Sequence, residues 1–309
     1  MRVLAKLVLV AAFLVCGGSI GAQTLPVLRI AALPIDVSGE VFYAADLGYF
    51  KDAGIDAQVT VLTNGAAVMA AIIGGAYDVG ASNIISASLA HEKGIGLRIV
   101  APGALYDRRA PTTVCAVAPN STLSGPKDLV GKTVGVPDLG GLPRIALAAW
   151  MEKGGVDPNS LRLVEIPFAA MVPAMQSGRI DAGILVNPLL QHAVDTGQAR
   201  VLANCLEAVA PQFSLAEYYS TAAFAAANGP LLKKFADVIA RTARWANAHR
   251  AESAAILERW TKSQLPPDAA RAFYAERLEA GDYQSEIDAA ARWKVLKAAY
   301  PVTEIFARY

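Results

Sequence analysis

The chain has 309 residues, a hydrophobic fraction of 54% and 28 basic against 27 acidic residues, with only three histidines and three cysteines. That length exceeds what one hydrophobic core usually serves, so two domains are expected. The near-zero net charge leaves no basic field for nucleic acid or anionic membranes, and no Cys or His spacing suits a metal.

The first residues read as a secretory signal peptide: Arg2 and Lys6, an apolar run from Leu7 to Val15, then small residues up to Ala22, after which cleavage is expected. The apolar run is too short to span a bilayer. Cys16 stands where a lipoprotein carries its acylated cysteine, but Phe13-Leu14-Val15 lacks the small preceding residue, so lipid anchoring is not expected. Without Arg2 and Lys6 the balance is 26 basic against 27 acidic residues. Export would place Cys115 and Cys205 in an oxidising compartment, where they could stay as buried apolar thiols or form a bridge if their strands are neighbours.

After residue 23 strands and helices alternate, which predicts parallel-rich sheets covered on both faces. Strands are expected at Arg29 to Leu33, Ala57 to Leu62, Asp78 to Ala81 and Leu97 to Ala101, with helices at Glu40 to Ala53, Ala66 to Ile73 and Ile84 to Lys93. A crossover with Pro102, Gly103 and Pro111 follows, and the alternation resumes. Its strands are Thr133 to Val136, Arg162 to Ile166, Ala182 to Val186 and Ala199 to Ala203, and its helices are Leu142 to Lys153, Met171 to Gln176 and Leu189 to Asp195. A second crossover spans Glu207 to Ser220. The tail reads as helical, with the stripe Leu231, Phe235, Val238, Thr242 and Trp245 behind an Asn228 cap and Pro230. Further helices are expected over Ala251 to Trp260, from about Pro267-Asp268, and over Ile287 to Ala299.

Fourteen residues, Val68 to Ala81, return in chemistry 103 positions later as Met171 to Ile184. Each copy is an apolar helical run, a glycine that can end a helix (Gly75, Gly178), and an Asp leading into a short apolar strand. A repeat so widely spaced predicts two similar α/β lobes with a cleft between them rather than a solenoid. The expected division is residues 23–107 in lobe 1, 108–212 in lobe 2, and a return crossover with a helical tail packing on lobe 1 over 213–309.

Several stretches carry a family likeness. Phe42-Tyr43-Ala44-Ala45-Asp46-Leu47-Gly48-Tyr49-Phe50-Lys51-Asp52-Ala53-Gly54-Ile55-Asp56, then Gly74 to Gly80, Asp128 to Val136, and Ser177 to Ala182 occur in order. Together they resemble the nitrate, sulfonate, taurine and thiamine-pyrimidine branch of periplasmic solute-binding proteins that serve ABC importers. The resemblance implies a two-lobed type II periplasmic binding fold with two hinge crossovers. It also implies a monomer that binds a small solute without cofactor or metal and docks on an inner-membrane permease. Where many members of that branch end a strand in Trp-Glu-Pro, this chain has Val186-Asn187-Pro188. The ligand class therefore does not carry over.

In such sheets the ligand lies beyond the carboxyl ends of the strands. In the first lobe this selects Pro34, Asp36, Ser38 and Gly39 after the first strand, Asn64 and Gly65 after the second, and Ser82 and Asn83 after the third. In the second lobe it selects Asp138, Gly140, Gly141, Leu142 and Arg144, then Phe168 and Asn187. Ser38, Asn64 and Ser82 also read as plain helix caps, each contributing about 1 kcal/mol with no ligand involved. An anion would call for Arg144, Arg108 or Arg109, whereas Asp36, Asp138 and Glu217 suit an amine or polar ring, on which Tyr106, Phe168, Tyr218 and Tyr219 could stack. The sign of the ligand charge stays open at this level. An enzyme of thiamine-pyrimidine synthesis and a module presenting its ligand to a sensor receptor are the alternatives; His91, His192 and His249 are scattered and adjoin neither cysteine.

Overall fold

The computed structural model describes residues 24–266 and 269–308. The signal peptide, Cys16 and the helix start at Pro267-Asp268 lie outside the described residues. The first part of the chain runs β1 (Val27–Ala32), α1 (Gly39–Asp46), α2 (Tyr49–Asp52), β2 (Asp56–Val61), α3 (Gly65–Ile73), β3 (Val79–Ser82), α4 (Ile84–Glu92) and β4 (Leu97–Ala101). Then come β5 (Ala104–Asp107), β6 (Thr113–Val117), β7 (Thr133–Val136), α5 (Leu142–Lys153), β8 (Arg162–Glu165), α6 (Phe168–Gln176), β9 (Ala182–Val186), α7 (Leu189–Asp195) and β10 (Arg200–Ala203). The chain returns through β11 (Gln212–Ser214) and β12 (Glu217–Thr221) and ends with α8 (Ala222–Ala227), α9 (Gly229–Ala248), α10 (Arg250–Thr261), β13 (Phe273–Tyr274) and α11 (Gly281–Arg292).

Two five-stranded sheets form, in the orders β2-β1-β3-β12-β4 and β10-β6-β9-β7-β8. Both are mixed rather than purely parallel: β12 runs antiparallel to β3 and β4, and β6 runs antiparallel to β9 and β10. Each sheet thus contains a strand at the end of a crossover, and a strand entering from the opposite sheet has no reason to share the direction set by the βαβ units. A third sheet, β11-β5-β13, joins the two crossovers to the tail. The tail was expected to hold helices only, yet residues 269–280 contribute β13 and no helix.

The sequence repeat is a packing rule. Asp78 and Asp181 occupy equivalent places: the Asp78 carboxylate accepts the Arg29 backbone N–H at 2.8 Å, and Asp181 accepts that of Thr133 at 2.8 Å. Each Asp thereby pins the start of β1 or β7 beside its own strand. Gly80 and Gly183 lie under the helices, where an added Cβ would come within 2.6 Å of the Ile72 side chain or 2.7 Å of Met171. The preceding turns need Gly75 and Gly178, at φ 74° and 71°.

Three departures have local causes. The expected helix from Glu40 to Ala53 breaks into α1 and α2 at Gly48, φ 75°. In α9 the buried face is Leu232, Phe235, Val238, Ile239, Thr242, Ala243 and Ala246, so the apolar stripe is rotated by part of a turn from the one expected and Leu231 and Trp245 sit at its margin. Asn228 does not cap α9 with its side chain, whose Nδ2 instead donates to the Phe224 carbonyl of α8. Cys115 and Cys205 are buried free thiols beside each other, and the hydrogen bond that the Cys115 thiol makes to Cys205 together with burial pushes it up.

The densest polar knot lies where the loop after β1 meets the tail. The Asp36 carboxylate, fully buried, receives Arg271 Nη2 at 2.8 Å and Nε at 3.0 Å on one oxygen and the Ala272 N–H at 2.6 Å on the other. Burial works against the Arg271 charge, but the carboxylate beside it outweighs that and its pKa stands above the ordinary arginine value. Arg271 Nη1 is held by the Arg250 carbonyl and Ser253, and Nη2 also donates to Tyr43. Removing one partner of such a pair strands the other charge in the core. Arg271→Ala is expected to cost about 3–5 kcal/mol, read as a lower urea midpoint of unfolding.

Glu40 on α1 and Glu217 on β12 are buried without a cation, and burial raises each carboxyl to about 8. Such groups bind protons in the folded state that the unfolded chain has released. Stability is therefore fully present below the unfolded value near 4.5 and is lost as pH rises toward 8. Thermal melts are expected to show a lower Tm at pH 8.5 than at pH 6.

Candidate functional site

Both five-stranded sheets turn the carboxyl ends of their parallel strands toward one cleft. The loop after β1 places Leu33, Ile35, Val37 and Ser38 on its wall; Gly65 opens α3; Ala81, Ser82 and Asn83 close β3 and enter α4. From the other side come Thr113 of β6, Pro137 and Asp138 after β7, Leu142 and Pro143 opening α5, Phe168 opening α6, and Val186 ending β9. Leu206, Leu215 and Ala216 of the return crossover complete the wall of this cavity.

The lobes already touch across this cavity. Asn64 Nδ2 donates to the Pro137 carbonyl at 3.3 Å, and the Asp36 backbone N–H donates to the Asn187 carbonyl at 2.9 Å. Gly140 lies against the Leu89 side chain of α4.

The wall is mostly apolar, with a few polar groups. Ser38 Oγ is buried and unpartnered. Ser82 Oγ donates to the Gly65 carbonyl at 3.2 Å and keeps its lone pairs for an incoming donor. Asn83 spends its Oδ1 on the Ser86 N–H, capping α4. Asp138 is 4% exposed, and among the described lining residues it is the single ionisable side chain. Burial, with a smaller push from the Glu165 carboxylate, raises it to about 6, against the backbone N–H groups of Gly140 and Gly141 that hold its charged form.

Of the sequence candidates, Ser38, Gly65, Ser82, Asn83, Asp138, Leu142 and Phe168 meet at this cavity. Asn64 caps α3, accepting the Ala67 N–H at 2.8 Å, and stands at the cleft edge. Gly141 precedes α5, its Cα against the Asp138 carboxylate. The others are placed elsewhere. Pro34 and Asp36 alternate with the lining residues, and Asp36 turns to Arg271. Gly39 packs under the hydroxyls of Tyr43 and Tyr274. Asn187 is used up internally, Nδ2 on the Ala270 carbonyl at 2.6 Å and Oδ1 on the Gln191 N–H at 3.1 Å. Arg144 donates to the Leu139 carbonyl at 3.2 Å, away from the cavity, and Arg109 pairs with Asp107 at 2.7 Å in an exposed turn.

The tyrosines chosen as stacking platforms are core. Tyr106 accepts from Asn204 Nδ2 at 2.8 Å and stacks on Phe213, and Tyr218 donates to Glu40 at 3.0 Å. Tyr219 donates to Glu217, so that carboxyl too is engaged within the fold.

What the sequence did not reveal is the apolar part of the wall. In Leu33-Pro34-Ile35-Asp36-Val37-Ser38 the polar or special letters were chosen, while Leu33, Ile35 and Val37 also face the cavity. The alternation itself was the available signal. Leu206, Leu215 and Ala216 carried none, because only the return of β12 into the first sheet brings them there.

The family model described as NMT1/THI5 like matches residues 37–253. No curated protein matches the sequence. Among solved structures, the alkanesulfonate-binding protein SsuA from Xanthomonas axonopodis pv. citri, bound to MOPS, superposes with a TM-score of 0.77 at 19% identity, covering 93% of this chain and 100% of that one. The periplasmic aliphatic sulphonate binding protein SsuA from Escherichia coli gives 0.72 at 19% identity, covering 91% and 97%. The periplasmic nitrate-binding protein NrtA from Synechocystis PCC 6803 gives 0.73 at 13% identity, covering 91% and 85%. At these identities the likeness establishes the periplasmic binding protein fold.

Asn64→Ala removes both a helix cap and the contact to Pro137. It is expected to lower unfolding stability by about 1 kcal/mol, measured by denaturant titration.

Proposed function

The chain belongs to the NMT1/THI5-like family, and we propose that it is the extracytoplasmic solute-binding component of an ABC importer. A small solute enters between the lobes, both walls contact it, and closure about the crossovers presents a compact form to an inner-membrane permease. The observation that carries this reading is the mostly apolar cavity lined from both sheets and from the return crossover, with a few polar groups set in its wall. The interlobe bonds from Asn64 and from the Asp36 backbone fit a closed state.

A binding role also suits the chemistry of the wall. His91 and His192 are on α4 and α7 and His249 ends α9, all away from the cavity, and the buried thiols of Cys115 and Cys205 face each other rather than a histidine. Among the described residues, no helix is long and apolar enough to cross a membrane. We place the mature protein in the periplasm as a monomer.

The test is a thermal-shift screen with sulfonates, carboxylates, nitrate, amines and pyrimidines, using protein refolded to remove any carried-over solute. A captured solute at a hundred times its Kd stabilises by about 2.7 kcal/mol, a Tm rise of several degrees. Ser82→Trp, which fills the cavity, is expected to abolish the rise while the circular dichroism spectrum stays unchanged. A response retained in that variant places capture elsewhere.

A further inference from the structure

Resting on the reading of the cleft as a capture site, the arrangement of its walls also bears on what is captured. We infer that the solute is a small amine with a largely apolar body, its ammonium group held by Asp138 and its hydrocarbon or ring packed on Phe168 and the aliphatic wall, and not an oxyanion.

The first ground is charge. Among the described lining residues no arginine, lysine or histidine reaches the cavity, and Arg144 and Arg109 are spent on Leu139 and Asp107 away from it. A sulfonate would meet a buried carboxylate and no cation, which is costly in a low-dielectric cleft. Asp138 makes no ion pair within the described protein. Asp36, the carboxylate that follows β1 on the facing lobe, has its cation in Arg271. The missing partner on the cleft wall is thus a positive charge.

The second ground is that the N-termini of α3 and α4 at the cleft are already capped, whereas those of α1 and α6 carry no side-chain cap. Asn64 accepts the Ala67 N–H at the start of α3, and Asn83 accepts the Ser86 N–H at the start of α4. Asp138 itself takes the N–H groups of Gly140 and Gly141 before α5. Helix ends are the usual attraction for an anion, and at α3, at α4 and in the turn before α5 the protein supplies the acceptor itself. The third ground is the unpartnered Oγ of Ser38, a residue 1% exposed on the facing lobe of the same cavity, which can accept a further N–H from the solute.

The position of the Asp138 titration gives the inference a second readout. Its free-state value near 6 reflects burial and the Glu165 carboxylate, with the Gly140 and Gly141 N–H groups opposing. An ammonium ligand needs the ionised form, so affinity holds above pH 6 and weakens below it, by about tenfold at pH 5 relative to pH 7.5.

The experiment compares matched head groups on one body: hexylamine, hexanesulfonate and hexanol, and benzylamine against benzenesulfonate, by calorimetry and thermal shift at pH 7.5. The amines are expected to bind at least tenfold tighter than the sulfonates. Asp138→Asn is expected to weaken amine binding at least tenfold, leave hexanol within twofold, and melt no lower than the wild type when free of ligand. Tighter binding of the sulfonates overturns the amine class and leaves capture in the cleft standing. Silence from every probe overturns the amine class and counts against the capture reading as well. Should Asp138→Asn fail to fold, the wild-type pH profile decides: amine affinity flat from pH 7.5 to 5 overturns the role of Asp138.

Discussion

The buried pair of Asp36 and Arg271 is the constraint from which the geometry of the cleft follows. Asp36 sits in the loop that leaves β1, and the same residue meets two separate parts of the chain. Its carboxylate takes Arg271 and the Ala272 N–H from the tail, its backbone carbonyl takes the Tyr274 hydroxyl at 2.6 Å, and its backbone N–H reaches the Asn187 carbonyl of the second lobe. Asn187 in turn donates to the Ala270 carbonyl. A loop held at so many points cannot drift, so Leu33, Ile35, Val37 and Ser38, which alternate with Pro34 and Asp36, are presented to the cavity as a fixed surface. The burial of two charges is expensive, and the gain here is a defined position for the wall more than net stability.

The knot also ties the tail to both crossovers. Arg271 lies two residues before β13, which pairs with β5 of the first crossover, while β11 of the second crossover pairs with the other edge of β5. Both crossovers and the tail thus share one small sheet beside the loop that lines the cleft. A displacement of the second lobe would act on this sheet and on the Asp36 to Asn187 contact together.

How much of this could be read in the letters depended on whether the cause was local. The repeat of Val68 to Ala81 at Met171 to Ile184 announces two αβ steps because the requirements at Gly75 and Gly178 and at Gly80 and Gly183 are met by neighbours in sequence, whereas Asp78 and Asp181 hold strand residues 49 and 48 positions earlier. Helices with clear stripes, such as α9, were legible for the same reason, to within part of a turn. The three-stranded sheet was not: β13 is two residues long, and its pairing with β5 joins positions far apart in the chain. Nor was the fate of Asp36. A lone Asp after a strand looks like a ligand group until Arg271, more than two hundred residues later, arrives beside it.

The same limit explains why polar letters misled at the cleft. Sequence reasoning seeks side chains that could bond a solute, and a buried polar side chain in this fold is far more often bonded to the protein: Tyr106 to Asn204, Tyr218 to Glu40, Asn187 to Ala270 and Gln191. Such pairing is obligatory, since an unmet buried polar group costs on the order of 1–3 kcal/mol. A binding wall is therefore better sought where a group that the protein has left without a partner also faces a cavity, since Glu40, Tyr283 and Glu286 hold such groups away from it. Ser38 Oγ and the cation-free carboxylate of Asp138 are such groups on opposite lobes, set in a surface of Leu, Ile, Val, Pro and Phe. A solute that answers both must span the cleft, and by spanning it holds the two lobes together.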